Sequence, residues 1–498
     1  MFGFFKKEKS QKLSSDIYEN MKLIKTIFLN DKTIIFRTYH QDKNTFMLIY
    51  SDGMVKTDYI NNILESIINV NIKDKITIDF LKNHLPSANI QTSEDFDEVI
   101  GCILTGYVVI LINDDNRALL IKAKEGNTRN IEEPPSESII RGPREGFTES
   151  LLINLSLIRR RIPHKDLKFL FKSIGKYTKT QICIAYINSI ASEKIINEVI
   201  NRLDDINIDG ILDSGYIAEL ICDNPFCPFQ TIGATERPDV ACAKLLEGRV
   251  IILVDGSPFV LTIPYLFIES FQSCEDYYVN FIFASFNRIL RILGFILTTF
   301  IPSLYISLVN FHQELLPTPL VLSITAARNG IPFPTVVEAF GMIFLFEILR
   351  EAGTRLPKPI GQAVSIVGAL IIGDAAVTAR FVSAPMVIIT ALTGITEFLI
   401  PQLTWAVIIY RFIILLFSSF FGLYGMFFGI LIMFIRLLSL KSFGVPYTLH
   451  TISIDLQDIK DTSIRGPWWA MKYRPIILGA KNVIRNKSQK PKEKINLE

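Results

Sequence analysis

Histidine, tryptophan and cysteine are scarce in this chain of 498 residues, which contains five, three and six of them. The histidines are scattered without the spacing of metal ligands: His40, His84, His164, His312 and His450. Only Cys222 and Cys227 have the spacing of a ligand pair, and buried thiols explain them better than zinc because no second pair completes a site. The sequence therefore predicts no metal site.

The chain also lacks the short motifs of nucleotide-binding and metallo-enzyme sites. It contains no G-x-x-x-x-G-K-[ST] loop, no G-x-G-x-x-G following a strand and no H-E-x-x-H. We therefore expect no enzyme, no catalytic residues and no cofactor. The opening MFGFFKKEKSQK places its lysines after the apolar residues, which is not the order of a secretory signal, so we expect a cytoplasmic N-terminus.

Long apolar stretches are what the chain has in abundance. Ile292 to Phe311 and Ile413 to Ile435 carry no charge, and each reaches the roughly 20 residues that cross a bilayer. They predict a transmembrane helical domain over 289–440, with about four to six spans. The candidate spans are 289–311, 332–349, 360–378, 381–400, 404–420 and 422–438, where Gly422 and Gly425 either separate the last two or lie within one tilted helix.

Charge is distributed unevenly along the chain. Residues 1–288 carry 33 Lys and Arg against 38 Asp and Glu, whereas the remainder carries 19 against 11. Twelve of those 19 cations lie from Arg436 onward. This predicts a basic cytoplasmic tail over 441–498 that favours anionic lipid, and hence an even number of crossings. Nucleic acid is not an expected partner, because few aromatic residues are interleaved with the late lysines.

The region before the membrane domain repeats one pattern. Apolar runs at 45–50 and 181–186 are each followed by an amphipathic helical segment, at 57–67 and 193–203. Further on, each half has a strand, a polar turn and a returning strand. We predict two similar α/β subdomains, at 14–123 and 147–275, that form a cytoplasmic head for binding or scaffolding.

A Pro- and Gly-rich linker, 124–146, separates the two predicted subdomains. Its charges predict ion pairing within the linker or with a neighbouring subunit. The triplet Arg159 to Arg161, just beyond it, is interpreted as a solvated or membrane-facing surface, with an anion site as the alternative. The candidate assembly residues are Glu133, Pro134, Glu137, Arg141, Gly142, Pro143 and Arg144.

Polar residues within the membrane domain are candidate functional groups by default. In the third span, small residues surround one helical face that suits a hydrophobic gate with an acidic mouth, although tight helix packing explains the same composition. That face consists of Val364, Val367, Ile371 and Asp374. Four carboxylates in or beside spans suit either an aqueous path or static salt bridges: Glu338, Glu347, Glu351 and Glu397.

Several long segments give the chain a family resemblance. They are EPPSESIIRGPREGF with NLSLIRRRI, HQELLPTPLVLSITAARNGIPFP, FEILREAGTRLPKPIGQAVSIVGALIIGDAAV, VSAPMVII and SFGVPY. They are distributed between Glu133 and Tyr447. On these segments the chain resembles, over nearly its whole length, the A subunit of the GerA family of spore germinant receptors.

The resemblance implies a multi-pass protein of the spore inner membrane that acts in nutrient-triggered germination. It implies a transporter-like B subunit and a lipoprotein C subunit as partners. It also implies a homo-oligomeric ring, expected to be a pentamer, around a path for monovalent cations. Two other readings stay open: a secondary transporter, for which Pro385 and Pro401 would interrupt spans, and a non-conducting scaffold.

Overall fold

The computed structural model describes residues 12–41, 44–68, 76–85, 89–123, 133–134, 136–355, 373–448, 461–474 and 480–486. Within these ranges an α/β head precedes a helical bundle, as the sequence predicts.

The first subdomain is a five-stranded antiparallel sheet with helices on both faces. Its strands lie in the order β1-β2-β4-β5-β3. Helices α2 and α3 pack on one face, and α1 and α4 on the other. The bounds are α1 Ile17–Ile27, β1 Ile34–Gln41, β2 Asn44–Ser51, α2 Thr57–Ile68, α3 Ile78–His84, β3 Ile90–Ser93, α4 Phe96–Leu104, β4 Tyr107–Ile112 and β5 Ala118–Lys122.

The second subdomain has the same topology. Its strand order is β6-β7-β9-β10-β8, which repeats the first order element by element. The predicted similarity of the two halves is confirmed at the level of topology. The bounds are α5 Leu151–Arg161, β6 Leu167–Ile174, β7 Thr180–Ile187, α6 Glu193–Asp204, α7 Ser214–Ile221, β8 Gly233–Thr235, α8 Pro238–Glu247, β9 Val250–Val254 and β10 Val260–Ile263.

A buried ion pair joins the two subdomains. The guanidinium of Arg159 on α5 binds the Asp31 carboxylate, and it donates to Thr33 Oγ1 at 3.1 Å. Lys168 Nζ donates to the Ile27 carbonyl at 2.6 Å. Arg159 is 1% exposed, so its interpretation as a solvated or membrane-facing residue is wrong. The anion that it binds is the Asp31 carboxylate of the first subdomain.

The helical bundle follows two short 3₁₀ segments, Phe267–Phe271 and Cys274–Tyr277. Two of its helices, Phe281–Asn310 and Pro401–Ser439, are long and apolar enough to cross a membrane. The principal helices are α9 Phe281–Asn310, α10 Thr318–Arg328, α11 Thr335–Arg355, α12 Ala384–Glu397 and α13 Thr404–Ser439.

Helix α13 turns back on itself at Gly422, whose backbone is not helical (φ 60°, ψ −135°). A Cβ built on Gly429 would lie 3.0 Å from the Ile414 Cα. In a straight helix 15 residues would separate these positions by about 22 Å. The stretch is therefore two antiparallel arms, 404–421 and 423–439, rather than one tilted helix.

Contacts at the helix ends show in which direction each described helix of the bundle runs. Helix α9 starts beside the head, where Arg291 binds Asp276, and ends at the tip of α13, where Phe311 lies against Gly422. Helix α11 returns toward the head from Thr335, whose hydroxyl donates to Asn310 at 2.8 Å. Helix α12 also runs toward the head, since Glu338 binds Ser383 at its start and Gln402 just beyond it binds Tyr265.

The second subdomain and the bundle share one hydrophobic core. The Phe229 ring stacks on Tyr410 of the first arm at 5.2 Å between centroids. The hairpin β11–β12 (Lys441–Ser442 and Val445–Pro446) follows the second arm and inserts Phe443 beneath Arg202. The head is thus fastened to both ends of α13.

Candidate functional site: paired charges in the bundle and at its junction with the head

Four charged side chains form a closed cluster inside the bundle. Arg411, on the first arm of α13, binds the Glu347 carboxylate and donates to Glu397 Oε2 at 3.1 Å. Arg350 binds the same two carboxylates, at 2.8 Å and 3.1 Å. Two cations and two anions give the cluster no net charge.

Small residues on the neighbouring helices allow this cluster to form. A Cβ on Gly394 of α12 would overlap the ring of Phe346 on α11, so only glycine lets these helices approach so closely. Thr298 of α9 donates to the Thr393 carbonyl at 2.9 Å, and its hydroxyl lies 3.5 Å from Arg411 Nη1. The packing holds three helices around one guanidinium.

Burial decides what the cluster does. The Arg411 side chain is 0% exposed and that of Glu397 is 4% exposed, so neither can be hydrated as an isolated ion. A single buried charge is costly, whereas a hydrogen-bonded pair is tolerated. The cluster is therefore a fixed connection among α11, α12 and α13.

Glu338 forms a second buried contact near the far end of the bundle. Its Oε2 accepts from the backbone N–H of Ser383 at 3.1 Å and from the Ser383 hydroxyl at 2.8 Å. Arg328 of α10 lies 3.7 Å from the other oxygen. Glu338 thus ties the start of α12 to α11.

Two further predicted membrane residues, Glu351 and Asp374, lie apart from these contacts. Glu351 is exposed and pairs with Arg355 at 2.6 Å. Asp374 is exposed in a short helical stretch at 373–378, near the far end of the bundle. The other three predicted gate residues, Val364, Val367 and Ile371, lie outside the described residues.

The linker is held by an arginine that sequence reasoning missed. Arg237, fully buried ahead of α8, donates to the carbonyls of Glu137 at 3.2 Å and Pro143 at 2.6 Å. It also binds Asp239 at 2.9 Å. The only signal in the sequence was a charged pair preceding Pro238, which fixes the start of a helix.

The linker residues themselves differ in their contacts. Glu137 accepts from Thr235 Oγ1 at 2.6 Å, and burial raises the pKa of its carboxyl. Arg144 lies 3.8 Å from Glu133, the one ion pair formed between predicted linker residues in the described part. Pro134 is buried and Arg141 is exposed.

Gly142 is required where the linker meets the start of the bundle. Its φ is 144°, and a Cβ there would lie 2.8 Å from the Tyr278 ring. Tyr278 in turn donates its hydroxyl to Asp239 at 2.6 Å. Linker, α8 and the segment before α9 therefore meet at one point.

A cavity of about 390 Å³ lies at this junction. Its walls include the linker residue Ser138, Lys244 and Glu247 of α8, Tyr265, and Trp468 of the tail. Although burial opposes ionisation, Lys244, Arg249 and Arg485 lower the pKa of Glu247 to about 2. Burial raises the pKa of nearby Cys274 to about 11, which keeps it a thiol and a poor nucleophile.

The site's chemistry is that of paired charges. Within the described residues no three His, Cys, Asp or Glu side chains gather as metal ligands do. The buried acids instead face arginine, lysine or hydroxyl groups. The arrangement suits holding helices and head in a defined relation.

The fold and these contacts define an α/β head fastened to an apolar helical bundle, the architecture of a membrane-associated protein. The chain belongs to the Bacillus/Clostridium GerA spore germination protein family, whose match extends over residues 22–477. This confirms the resemblance to the A subunit drawn from the sequence.

Similar proteins agree with this assignment. Spore germination protein KA of Bacillus subtilis is 42% identical over 497 residues, covering 97% of this chain and 91% of that protein. The uncharacterized membrane protein YfkQ of Bacillus subtilis is 39% identical, covering 93% and 91%. Spore germination protein GerLA of Bacillus cereus is also 39% identical, covering 82% and 84%.

Among solved structures, the chain is similar to the N-terminal domain of the A subunit of the Bacillus megaterium spore germinant receptor GerK3. The identity is 30% and the TM-score 0.42, and the match covers 52% of this chain and 99% of that one.

Proposed function

We propose that this chain is the A subunit of a nutrient germinant receptor and that several copies form a ligand-gated channel for monovalent cations. The observation that supports the channel most directly is an uncovered helix of the bundle that carries polar and small residues. Helix α10 has no buried residue. Ser323, Thr325 and Ala326 are exposed together with Leu320 and Leu322, which are 47% and 65% exposed. Lipid suits the leucines but is a poor solvent for the hydroxyls, which another copy or water suits better.

The paired charges support a path between copies. Glu338, Glu347 and Glu397 are occupied by serine or arginine contacts, so they are not free to attract cations along the interior of one bundle. Asp374 is exposed near the far end, next to the small-residue segment predicted to line the path. A ring of such carboxylates would concentrate cations at a pore mouth.

The orientation we propose has six crossings and both ends on the cytoplasmic side of the spore inner membrane. The helix directions support this: α9 and the first arm of α13 run away from the head, whereas α11, α12 and the second arm run toward it. In addition, α11 ends near the head whereas residues 373–378 lie near the far end. In our proposal a transporter-like B subunit supplies nutrient recognition and a lipoprotein C subunit completes the receptor. We propose a pentameric ring.

The test is K⁺ efflux from liposomes that contain this chain with its B and C subunits. Ile371→Ala should produce efflux without nutrient, because it removes apolar bulk from the proposed gate. The matched control is Ile432→Ala, at a position on the second arm that is 42% exposed, and it should leave efflux dependent on nutrient.

Asp374→Asn provides a second arm of the test and should reduce cation flux without abolishing assembly. Unchanged flux in Asp374→Asn together with nutrient-dependent flux in Ile371→Ala would contradict a path along this segment. Absence of efflux in an assembled wild-type receptor would leave the chain as a non-conducting scaffold.

A further inference from the structure

All three tryptophans of the chain lie toward the head side of the bundle. Trp405 is in the first turn of the first arm of α13, and Trp468 and Trp469 belong to the tail. They are 67%, 45% and 38% exposed. Tryptophan is enriched at the boundary between lipid and water, where one edge of the ring is apolar and the other polar.

The tail segment is fixed beside the start of α9. The backbone N–H of Arg465 donates to Ser285 Oγ at 3.0 Å. Arg288, which is fully buried, donates to the carbonyls of Asp461 and Thr462, each at 3.0 Å. The position of this segment relative to the helix axis is therefore well defined.

The length of α9 places that segment within a bilayer. Its 30 residues span about 45 Å, which matches a hydrocarbon core together with both headgroup layers. With the far end of α9 at the opposite surface, Ser285 in its second turn falls in the headgroup layer on the head side. The tail residues bonded there lie at the same level.

The exposed surface of α9 is apolar up to this level. One stripe at helical spacing consists of Ile282, Phe286, Ile289, Leu293 and Ile296, which are between 44% and 66% exposed. The tail continues that surface, because Ile464 is 52% exposed beside the same end of the helix. An exposed apolar surface of this extent requires a cover.

Charge indicates what covers it. Lys472, three residues after Trp469, is exposed. From residue 481 onward the sequence has six Lys and Arg against two Glu. Cations beside apolar rings are the pattern of a segment that lies on anionic lipid.

We propose that residues 461–471 form an interfacial anchor, in which Ile464, Trp468 and Trp469 enter the headgroup layer of a bilayer rich in anionic phospholipid. The inference rests on the proposed orientation, in which the bundle spans the membrane with the head on one side. The anchor holds the start of α9 at the membrane surface through Ser285 and Arg288.

The test uses the full chain in liposomes of phosphatidylcholine and phosphatidylglycerol, with lipids brominated close to the headgroup to quench tryptophan emission. Trp468→Phe with Trp469→Phe leaves Trp405 as the reference. Trp405→Phe leaves the two tail tryptophans. Phenylalanine keeps an aromatic ring at exposed positions, and circular dichroism checks that both variants fold.

We expect the tail tryptophans to lose emission to a degree comparable with Trp405. We also expect that loss to decrease when phosphatidylglycerol is omitted or salt is added, and to weaken when bromine is moved to the chain ends. If the tail tryptophans are quenched equally with and without phosphatidylglycerol, the proposal that the anchor binds anionic lipid is wrong.

Two outcomes separate this inference from the proposal on which it rests. Quenched Trp405 with unquenched tail tryptophans would overturn the anchor and leave the membrane placement intact. If the unquenched tail tryptophans have blue-shifted emission, another copy of the chain, rather than lipid, covers this apolar surface. Unquenched Trp405 would overturn the membrane placement itself.

Discussion

The two subdomains of the head share a strand order but have different surroundings. In the first, the face of the sheet that carries α2 and α3 is closed by its own residues, including Ile60 and Leu81. In the second, the equivalent face continues into the bundle, so that Val199 and Tyr410 belong to one core. The same topology forms a self-contained core in the first subdomain, whereas in the second it packs against the helical bundle.

This difference shows how a fold acquires a role from its neighbours. Leu48 and Ile184 occupy equivalent positions on β2 and β7, pair with Ile110 and Ile252, and are both 0% exposed. Only Ile184 belongs to a core that reaches α13. A substitution that loosens the core of the second subdomain should therefore also loosen the bundle. A substitution in the core of the first subdomain should affect that subdomain alone, up to its contact with Arg159.

The largest effect is expected where the bundle's buried charges lose a partner. Arg411→Met leaves two carboxylates with one cation, and removing one member of a buried pair costs about 3–5 kcal/mol. We expect a large fall in the melting temperature of the reconstituted protein. Adding Glu397→Gln should restore part of it, because the cluster is again neutral.

Arg159→Met is the matched change between the subdomains, since it too uncovers a buried carboxylate. It should release the first subdomain to protease while leaving the melting of the bundle unchanged. If Arg159→Met lowers the bundle's melting temperature as far as Arg411→Met does, the two subdomains do not differ as proposed.

Truncation of the equivalent strand residues tests the comparison directly. Leu48→Ala and Ile184→Ala should each cost about 2–5 kcal/mol, because both leave a cavity in a packed core. Hydrogen exchange should rise only in the first subdomain for Leu48→Ala. For Ile184→Ala it should also rise around Tyr410, and identical exchange patterns from the two variants would refute the continuous core.

A smaller effect is expected at the linker. Gly142→Ala forces a side chain into a backbone region and a space that admit glycine only, at a cost of about 1–3 kcal/mol. Protease cleavage near the linker should increase. Gly101→Ala is the control in the first subdomain, since its Cβ would meet nothing within 4 Å, and it should be neutral or slightly stabilising.

The smallest effect concerns pH. Because burial raises the pKa of Glu137 in the folded chain above its ordinary value of 4.5, the folded state binds this proton more tightly than the unfolded state does. The contribution of Glu137 to the free energy of unfolding is therefore present at low pH and is lost as the pH rises through the raised pKa.

Glu137→Gln should remove that dependence. The melting temperature of wild type relative to the variant should fall as pH rises from below 4.5 to neutral, by an amount equivalent to about 1 kcal/mol or less. If the melting temperature of wild type relative to the variant rises with pH instead, the Thr235 and Arg237 contacts lower the pKa of Glu137 by more than burial raises it. The comparison is best made in detergent-solubilised full chain.

Much of the head could be predicted from local pattern. The apolar runs that became β2 and β7, and the amphipathic segments that became α2 and α6, have periodicities set by the geometry of strand and helix. Strands β1 and β6 were missed, because Arg37 and His40 in the first and Lys168 and Lys172 in the second interrupt the apolar pattern at the sheet edge.

The candidate site was predicted only in part. Glu347 and Glu397 were recognisable as carboxylates in apolar surroundings. The sequence left two interpretations open for them, an aqueous path and a static salt bridge. Arg411 was missed, although a lone arginine in the apolar stretch 404–420 was the available signal. The linker's partner Arg237 was missed as well, because nothing local connects it with residues about a hundred positions earlier.

The sequence by itself determined the two repeated α/β patterns, the apolar stretches long enough to cross a bilayer and the family. Each of these depends on residues close together in the chain, where covalent geometry sets the period. The tertiary structure decided that α13 folds back at Gly422, that Arg411 pairs with two distant acids and that, among the described residues, the second subdomain rather than the first shares its core with the bundle. Those outcomes depend on which surfaces approach closely enough to exclude water, and that is fixed by packing across the whole molecule.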